Sequence, residues 1–297
     1  MRELFKLIQH FQYFFVMIGT SSSIPTPFTY LDNAGAILPP TEMLASICNR
    51  LMTCRYANPH SSGSSRLSDD TAHMIDRSRG MVLDFLGASP SEYDVVFTSG
   101  STAALHLLGQ VFPWGEQSSV CYPFNCHTSL LGIRDFAPRA ICFPSAALQH
   151  SLHSIEMIDS TGDTTNSSKE LLFNLLLVPG ECNLSGVKAD LTKAGLLAQL
   201  IGDRRVLDLV GGRYVDGRTE LSSCSPEPLA ISDNGLPWMW ALDAAKLVAD
   251  TRVDLSALPA PLRPHFLSLS FYKIFGYPTG LGALVVRRDV GHLLRKR

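Results

Sequence analysis

Short apolar runs, bounded by polar turns that contain glycine or proline, recur along the chain. Runs of this kind are typical of buried β-strands, and amphipathic stretches lie between most of them. Strands that alternate with helices predict an α/β fold with a mostly parallel sheet that is covered by helices on both faces. The seven predicted strands lie around Val96, Cys121, Ile141, Leu176, Ala241, Leu267 and Val285.

Apolar residues at helical spacing predict the main helices between these strands. One helix is expected to begin at a cap formed by Thr41, and a longer one to cover 65–86. Two shorter helices are expected at 103–111 and 191–200. Gly87 is expected to end the longer helix, because glycine readily adopts the left-handed conformation of a C-terminal cap.

Three segments fall outside this alternation of strands and helices. The segment 1–29 has apolar residues at helical spacing and is predicted to form an amphipathic helix that docks on the protein. Its apolar core is shorter than the roughly 20 residues that span a bilayer, and a signal peptide is the alternative, although no cleavage site of small residues stands out. Residues 151–169 are predicted to be an exposed loop, and 213–237 to be irregular.

Composition limits the class of protein. With 297 residues, 45% of them hydrophobic, the chain is long enough for one large α/β domain or two modest ones. The formal net charge of -2 gives no electrostatic reason to expect nucleic acid or an anionic membrane as a partner. Seven cysteines without a CxxC pair form neither a disulfide framework nor a zinc signature, which favours a reducing, cytoplasmic compartment.

Several polar residues follow the C-terminal ends of predicted strands, where open α/β sheets bind ligands. The turn 98–102 leads into a helix, so its backbone N–H groups and the helix dipole favour an anion, although such turns also serve as ordinary N-caps. Asp243 ends one strand, and Lys273 follows another among aromatic residues. An apolar setting favours the neutral amine that reacts with aldehydes. A lone lysine at a strand end also commonly extends into solvent.

Seven motifs occur in order between residues 30 and 286: YLDNAGA at 30–36, NPHSS at 58–62, FTSGSTAAL at 97–105, CHTSLLGIR at 126–134, NLSG at 183–186, LDAAK at 242–246 and SFYKIFGYPTGLGALVV at 270–286. Through them the chain resembles the class V aminotransferase group of pyridoxal 5'-phosphate (PLP) enzymes. Within that group it is similar to the desulfurase-like part of the molybdenum cofactor sulfurase family.

The resemblance implies the large domain of a fold-type-I PLP-dependent transferase and a role for nine residues. Lys273 would bind the cofactor aldehyde covalently and later move protons at the substrate α-carbon, and Asp243 would pair with the pyridine nitrogen. His127 would stack on the ring. The other implied contacts are Asn183 at the phenolic oxygen, Ala245 beneath the ring, and Gly100, Ser101, Thr102 and Ser270 at the phosphate.

The chain departs from the family in two respects. Asn33 stands where the family usually has histidine near the substrate entrance. The family continues with a smaller C-terminal domain, which carries the cysteine that forms the persulfide and the arginine that binds the substrate carboxylate. The resemblance therefore predicts that 30–297 is a PLP-binding domain that is incomplete at its C-terminus. Cys126, which adjoins His127, is the nearest substitute thiol.

The implied activity is the transfer of sulfur from L-cysteine to the molybdenum cofactor by a homodimer. Two alternatives stay open. One is a catalytically incomplete PLP-binding or regulatory protein, and the other is a class V cysteine desulfurase of a different kind. Tyr272 argues against the second alternative, because those desulfurases typically carry histidine just before the lysine.

Overall fold

The computed structural model of the chain describes residues 29–143, 172–201, 213–215 and 236–295. The predicted N-terminal helix, apart from residue 29, and the predicted loop at 151–169 lie outside these residues. In the described residues the α-helices are α1 (Thr41–Thr53), α2 (Arg66–Phe85), α3 (Ser101–Val111), α4 (Thr128–Leu131), α5 (Leu191–Leu200), α6 (Leu247–Asp250), α7 (Tyr272–Phe275) and α8 (Arg288–Gly291). The strands are β1 (Tyr93–Thr98), β2 (Ser119–Pro123), β3 (Arg139–Phe143), β4 (Asn174–Pro179), β5 (Arg213–Val215), β6 (Trp238–Asp243), β7 (Phe266–Ser270) and β8 (Gly282–Arg287).

The strands form one sheet in the order β1-β8-β7-β6-β4-β2-β3-β5. The pairings among β3, β2, β4, β6 and β7 are parallel, and those of β8 with β7 and β1 and of β5 with β3 are antiparallel. The predicted α/β architecture is confirmed, with all seven predicted strands present. The short edge strand β5 corrects the prediction that all of 213–237 is irregular, since three residues are too few to show a period.

Apolar side chains on opposite faces of the sheet build two separate cores. Leu176 and Val178 of β4 pack in one core with residues of α2 and α5, whereas Leu175 and Leu177 pack in the other with residues of α3. Successive side chains of a strand point to opposite faces. A strand that is apolar at every position is therefore buried on both sides, as the sequence predicted.

The ends of the helices follow local capping chemistry, with one correction. Ser65 caps α2 by accepting a hydrogen bond from the backbone N–H of Ser68, and Gly87 follows the helix with a φ of 59°. Thr41 was expected to cap α1, but it is the first helical residue, and Pro40 occupies the N-cap without a side-chain hydrogen bond. Proline presets an extended backbone there, so the helix starts without a hydroxyl cap.

Candidate cofactor site at the carboxyl edge of the sheet

Strands β1, β2, β4, β6 and β7 all point the same way, so their carboxyl ends meet at one edge of the sheet. The pairing register places Asp243 beside Ser268, and both Thr98 and Ser270 beside Gly282, the first residue of β8. Side chains that are far apart in sequence therefore converge at this edge, which is where open α/β sheets bind ligands.

Two serine hydroxyls hold one oxygen of the Asp243 carboxylate. The hydroxyl of Ser268 donates to Oδ1 over 2.9 Å, and that of Ser101 lies 3.1 Å from Oδ1 and 2.8 Å from Ser268 Oγ. The backbone N–H of Ala245 also donates to Oδ1 over 3.2 Å. These donors fix the orientation of the carboxylate and leave Oδ2 to face another partner. Ser101 thus contributes its hydroxyl to Asp243, and only its backbone N–H is left for the phosphate role implied by the resemblance.

The N-terminus of α3 adjoins this carboxylate. Gly100 is the N-cap, with a φ of 137°, and a Cβ added there would meet no atom within 4 Å. The first intrahelical bond runs from the N–H of Ala104 to the carbonyl of Gly100, so the N–H groups of the preceding helical residues have no helical partner. An eleven-residue helix with open space at its N-cap is suited to hold a phosphate.

His127 is exposed and tied to the same helix by hydrogen bonds. Its Nδ1 accepts from the backbone N–H of Ser129 over 3.1 Å and lies 2.9 Å from the Ser129 hydroxyl. That hydroxyl in turn lies 2.7 Å from Thr102 Oγ1. Because Nδ1 accepts a backbone hydrogen bond, the neutral ring carries its proton on Nε2. The sequence did not single out Ser129, which positions His127 and Thr102 relative to each other.

Two predicted site residues have polar groups without a partner in the described part of the chain. Ser270 is 3% exposed and its hydroxyl makes no hydrogen bond there, and Lys273, which is half-buried in α7, makes no ion pair or hydrogen bond there. In the described part of the chain no group engages this hydroxyl or this amine, so both are available to a ligand at this edge. With the helix N-terminus and Asp243 Oδ2, which accepts no hydrogen bond from the described residues, these groups fit the phosphate, aldehyde and pyridine nitrogen of PLP.

Asn183 and Ala245 flank this group of residues. Asn183 is exposed on the loop that follows β4, and no hydrogen bond of the described residues joins it to another predicted site residue. Ala245 is buried two residues after Asp243. Among the described residues, no group of side chains is suited to hold a metal ion.

Sequence reasoning missed Ser268, although a signal for it exists. Ser268 lies two residues before Ser270 on β7, so the two side chains point to the same face of the sheet. A second serine at that spacing, in an otherwise apolar strand, is the pattern that indicated it.

The two cysteines near the site differ in their chemistry. Burial raises the pKa of Cys126 to about 12, so its thiolate is scarce at neutral pH and it is a poor substitute for a sulfur-accepting cysteine. Cys182, directly before Asn183, has a lowered pKa, chiefly because the Ser185 hydroxyl donates a hydrogen bond to its sulfur. The raised pKa of Cys126 therefore argues against Cys126 as the thiol that accepts sulfur.

The chain is similar in sequence to proteins of one known family. Residues 29–130 match the family described as Aminotransferase class-V. Over 283 residues, 90% of this chain, it is 35% identical to the molybdenum cofactor sulfurase of Solanum lycopersicum. The resemblance to molybdenum cofactor sulfurases that the motifs indicated is therefore confirmed. The chain spans about a third of the length of this relative, 31%.

Solved structures confirm the fold. The cysteine desulfurase of Thermococcus onnurineus superimposes with a TM-score of 0.57 at 20% identity, over 90% of this chain and 55% of that one. A C-DES variant with glycine covalently linked to its PLP cofactor gives a TM-score of 0.60 at 14% identity, over 92% of this chain and 60% of that one. At these identities the match establishes the fold alone, which this chain shares with both proteins.

Proposed function

We propose that this chain binds PLP through Lys273 and serves as the cofactor-binding part of a sulfurtransferase of the molybdenum cofactor sulfurase type. The observation that carries the proposal is the convergence, at one sheet edge, of groups that have no partner within residues 29–143, 172–201, 213–215 and 236–295. Asp243 Oδ2, the Ser270 hydroxyl and the Lys273 amine lie there beside a helix N-terminus, and a PLP molecule has a matching group for each of them.

Each residue has a definite task in this proposal. The N–H groups at the start of α3 and the Ser270 hydroxyl bind the phosphate. Asp243, held by Ser101 and Ser268, orients the ring and keeps a proton on the pyridine nitrogen. His127 covers one face of the ring.

When bound, PLP supplies an electron sink that lets bonds at a substrate α-carbon break. The amine of Lys273 is the group of this chain that removes and returns the proton at that carbon. Proton transfer by a positioned side chain typically accelerates a reaction by about 100- to 10,000-fold.

The substrate, partners, extent and location of the protein also belong to the proposal. We assign L-cysteine as the sulfur donor and the molybdenum cofactor as the acceptor, supported by the similarity to the tomato relative. The PLP-binding domain extends over 30–297.

A homodimer is supported by apolar side chains on α1 that are exposed in the single chain. A cytoplasmic location is supported by the cysteines of the described ranges, which form no disulfide; no helix of those ranges could span a membrane.

Reductive trapping tests the cofactor assignment. Purified protein incubated with PLP is expected to develop a visible absorbance band, and borohydride is expected to fix the cofactor on the peptide that contains Lys273. Lys273→Ala should abolish both signals, because no other described residue places an unpaired amine at this edge. Mass spectrometry of the digested protein gives the attachment site.

Lys188→Ala is the matched control, because its side chain is 41% exposed and already paired with Asp250 over 2.9 Å. It should take up and trap PLP as the wild type does. Equal trapping in wild type and Lys273→Ala, or attachment spread over surface lysines, would contradict the proposed function.

A further inference from the structure

A buried ion pair joins two loops of the candidate site. Glu181 lies two residues before Asn183, and Lys246 lies three residues after Asp243. Lys246 Nζ is 3.1 Å from Glu181 Oε1 and also donates to the carbonyl of Cys182 over 3.2 Å. Only 4% of the Glu181 side chain and 14% of the Lys246 side chain are exposed. Neither residue was predicted to act in the site.

The loop that carries Asn183, residues 180–189, is closed mainly by its own backbone. The N–H of Cys182 donates to the carbonyl of Val187, that of Gly186 to Cys182, and that of Ala189 to Gly180. Residues 183–188 are exposed, so little packing fixes the tip of the loop. Its position therefore depends on what holds its base.

At its base the loop is held against residues 243–250, which comprise the end of β6, a short turn and α6. The N–H of Gly180 donates to the carbonyl of Asp243 over 2.9 Å, and a Cβ at Gly180 would lie 2.9 Å from the same oxygen. The Glu181–Lys246 pair adds a side-chain link just beyond this backbone contact. Together they fix how far the Asn183 side of the site lies from the Asp243 side.

A second lysine provides a comparison. Lys188 Nζ lies 3.9 Å from Glu181 Oε2 and 2.9 Å from Asp250 Oδ1, with 41% of its side chain exposed. Exposed ion pairs contribute little to stability, because solvent screens them. Breaking a buried pair is far more costly, since it leaves a charge without a partner in a low-dielectric environment. Lys246 is therefore the partner on which Glu181 depends.

We propose that Glu181 and Lys246 are positioning residues, whose ion pair fixes Asn183 relative to Asp243 and so sets the spacing between the groups that contact the phenolic oxygen and the pyridine nitrogen of PLP. This inference rests on the proposed function. Lys246 acts through Cys182 and Glu181 and does not itself react.

Hydrogen exchange of the cofactor-free protein tests the link directly. Lys246→Met should reduce the protection of the Cys182, Gly186 and Ala189 amides by about tenfold or more, because Glu181 loses its buried partner. Lys246→Arg, which keeps the charge, should preserve most of that protection. Lys188→Met is the control and should change it little.

Absorbance of the PLP-loaded protein tests the positioning role. Lys246→Met should weaken PLP binding by about tenfold or more, because Glu181 loses its buried partner and the loop that carries Asn183 loses its side-chain link to the Asp243 side of the site. It should also move the pH transition of the visible band upward, because a displaced Asn183 no longer donates to the phenolic oxygen. A merely structural role would leave that transition unchanged in the folded, loaded protein.

Two results would overturn the inference while leaving the proposed function intact. One is unchanged amide protection in Lys246→Met, and the other is lost protection with wild-type PLP affinity and an unchanged pH transition. Wild-type protein that takes up no PLP would instead overturn the proposed function, and the cofactor-spacing role of the pair with it.

Discussion

At the scale of single residues, His265 is expected to make the stability of the fold depend on pH. Its Nδ1 accepts the backbone N–H of Trp240 over 3.1 Å, and burial lowers its pKa from 6.5 to about 4, with the nearby charge of Arg287 adding to the effect and Asp289 opposing it. The imidazolium form would place a second N–H against that donor. The folded protein therefore favours the neutral ring, with its proton on Nε2.

We expect this histidine to make the free energy of unfolding fall as the pH decreases from about 6.5 to about 4. In that range the unfolded chain binds a proton at His265 and the folded chain does not, so stability is fully present above 6.5 and is lost toward 4. The loss should reach up to about 3 kcal/mol. Urea unfolding at several pH values measures it.

The control for this prediction is His265→Asn, whose amide oxygen can accept the Trp240 N–H but does not titrate. The stability difference between wild type and variant should narrow as the pH falls. A difference that stays constant as the pH falls from about 6.5 toward about 4 would show that His265 is not the responsible group.

At the scale of elements, the close approach of β8 to the start of α3 shapes the phosphate site. A Cβ on Gly282 would lie 2.3 Å from the carbonyl oxygen of Leu269 and 2.6 Å from the Cα of Gly100. Both neighbours are backbone atoms of regular elements and cannot move independently. Glycine is required at position 282 so that the strand and the helix N-terminus can meet.

We expect Gly282→Ala to lower the free energy of unfolding by about 1–3 kcal/mol, the usual cost of overpacking. It should also weaken the affinity for PLP. The loss in binding free energy should exceed the loss in the free energy of unfolding, because the displaced atoms belong to the N-cap of α3. Denaturant unfolding of the cofactor-free protein and PLP titration measure the two effects separately.

Gly80→Ala is the control for this change, because it lies within α2 and a Cβ there meets nothing within 4 Å. Alanine favours helices over glycine, so this variant should be unchanged or more stable by up to about 1 kcal/mol. If both variants bind PLP as the wild type does, the contact between β8 and α3 does not shape the site.

At the scale of the whole molecule, α1 has an apolar surface that the single chain leaves open. Leu51 is 65% exposed and Met52 is 79% exposed, and of the residues of α1 only Met43 is buried. Exposed apolar side chains that lie together often mark an interface. This surface supports the proposed homodimer.

We expect sedimentation of the protein at micromolar concentration to give the mass of a dimer. The double change Leu51→Lys and Met52→Lys should shift it to a monomer, because lysine charges are costly to bury in an interface. Val96→Lys, at an exposed position of β1, is the control and should remain dimeric. A wild-type monomer, or a dimer that survives the double change, would contradict this assignment.

The order and type of the elements follow from the sequence alone, because local patterns determine them. Apolar runs gave seven strands, and helical spacing gave α2, α3 and α5 to within one or two residues. The edge strand β5 escaped detection, since a strand of three residues has no measurable period. The start of α1 was assigned to the wrong cap, because a proline can begin a helix without a hydroxyl.

Some features of the candidate site also follow from the sequence, and others are decided only by the tertiary structure. Position at or after a predicted strand marked Asp243 and Lys273 as candidates, and the resemblance to the family added His127 and Ser270. Only the tertiary structure showed that Ser268 and Ser101 meet at Asp243, and that Lys246 pairs with Glu181. These contacts join residues that are 25 to 142 positions apart in the chain. They exist because parallel strands bring their carboxyl ends to one edge, and no local pattern records which side chains meet there.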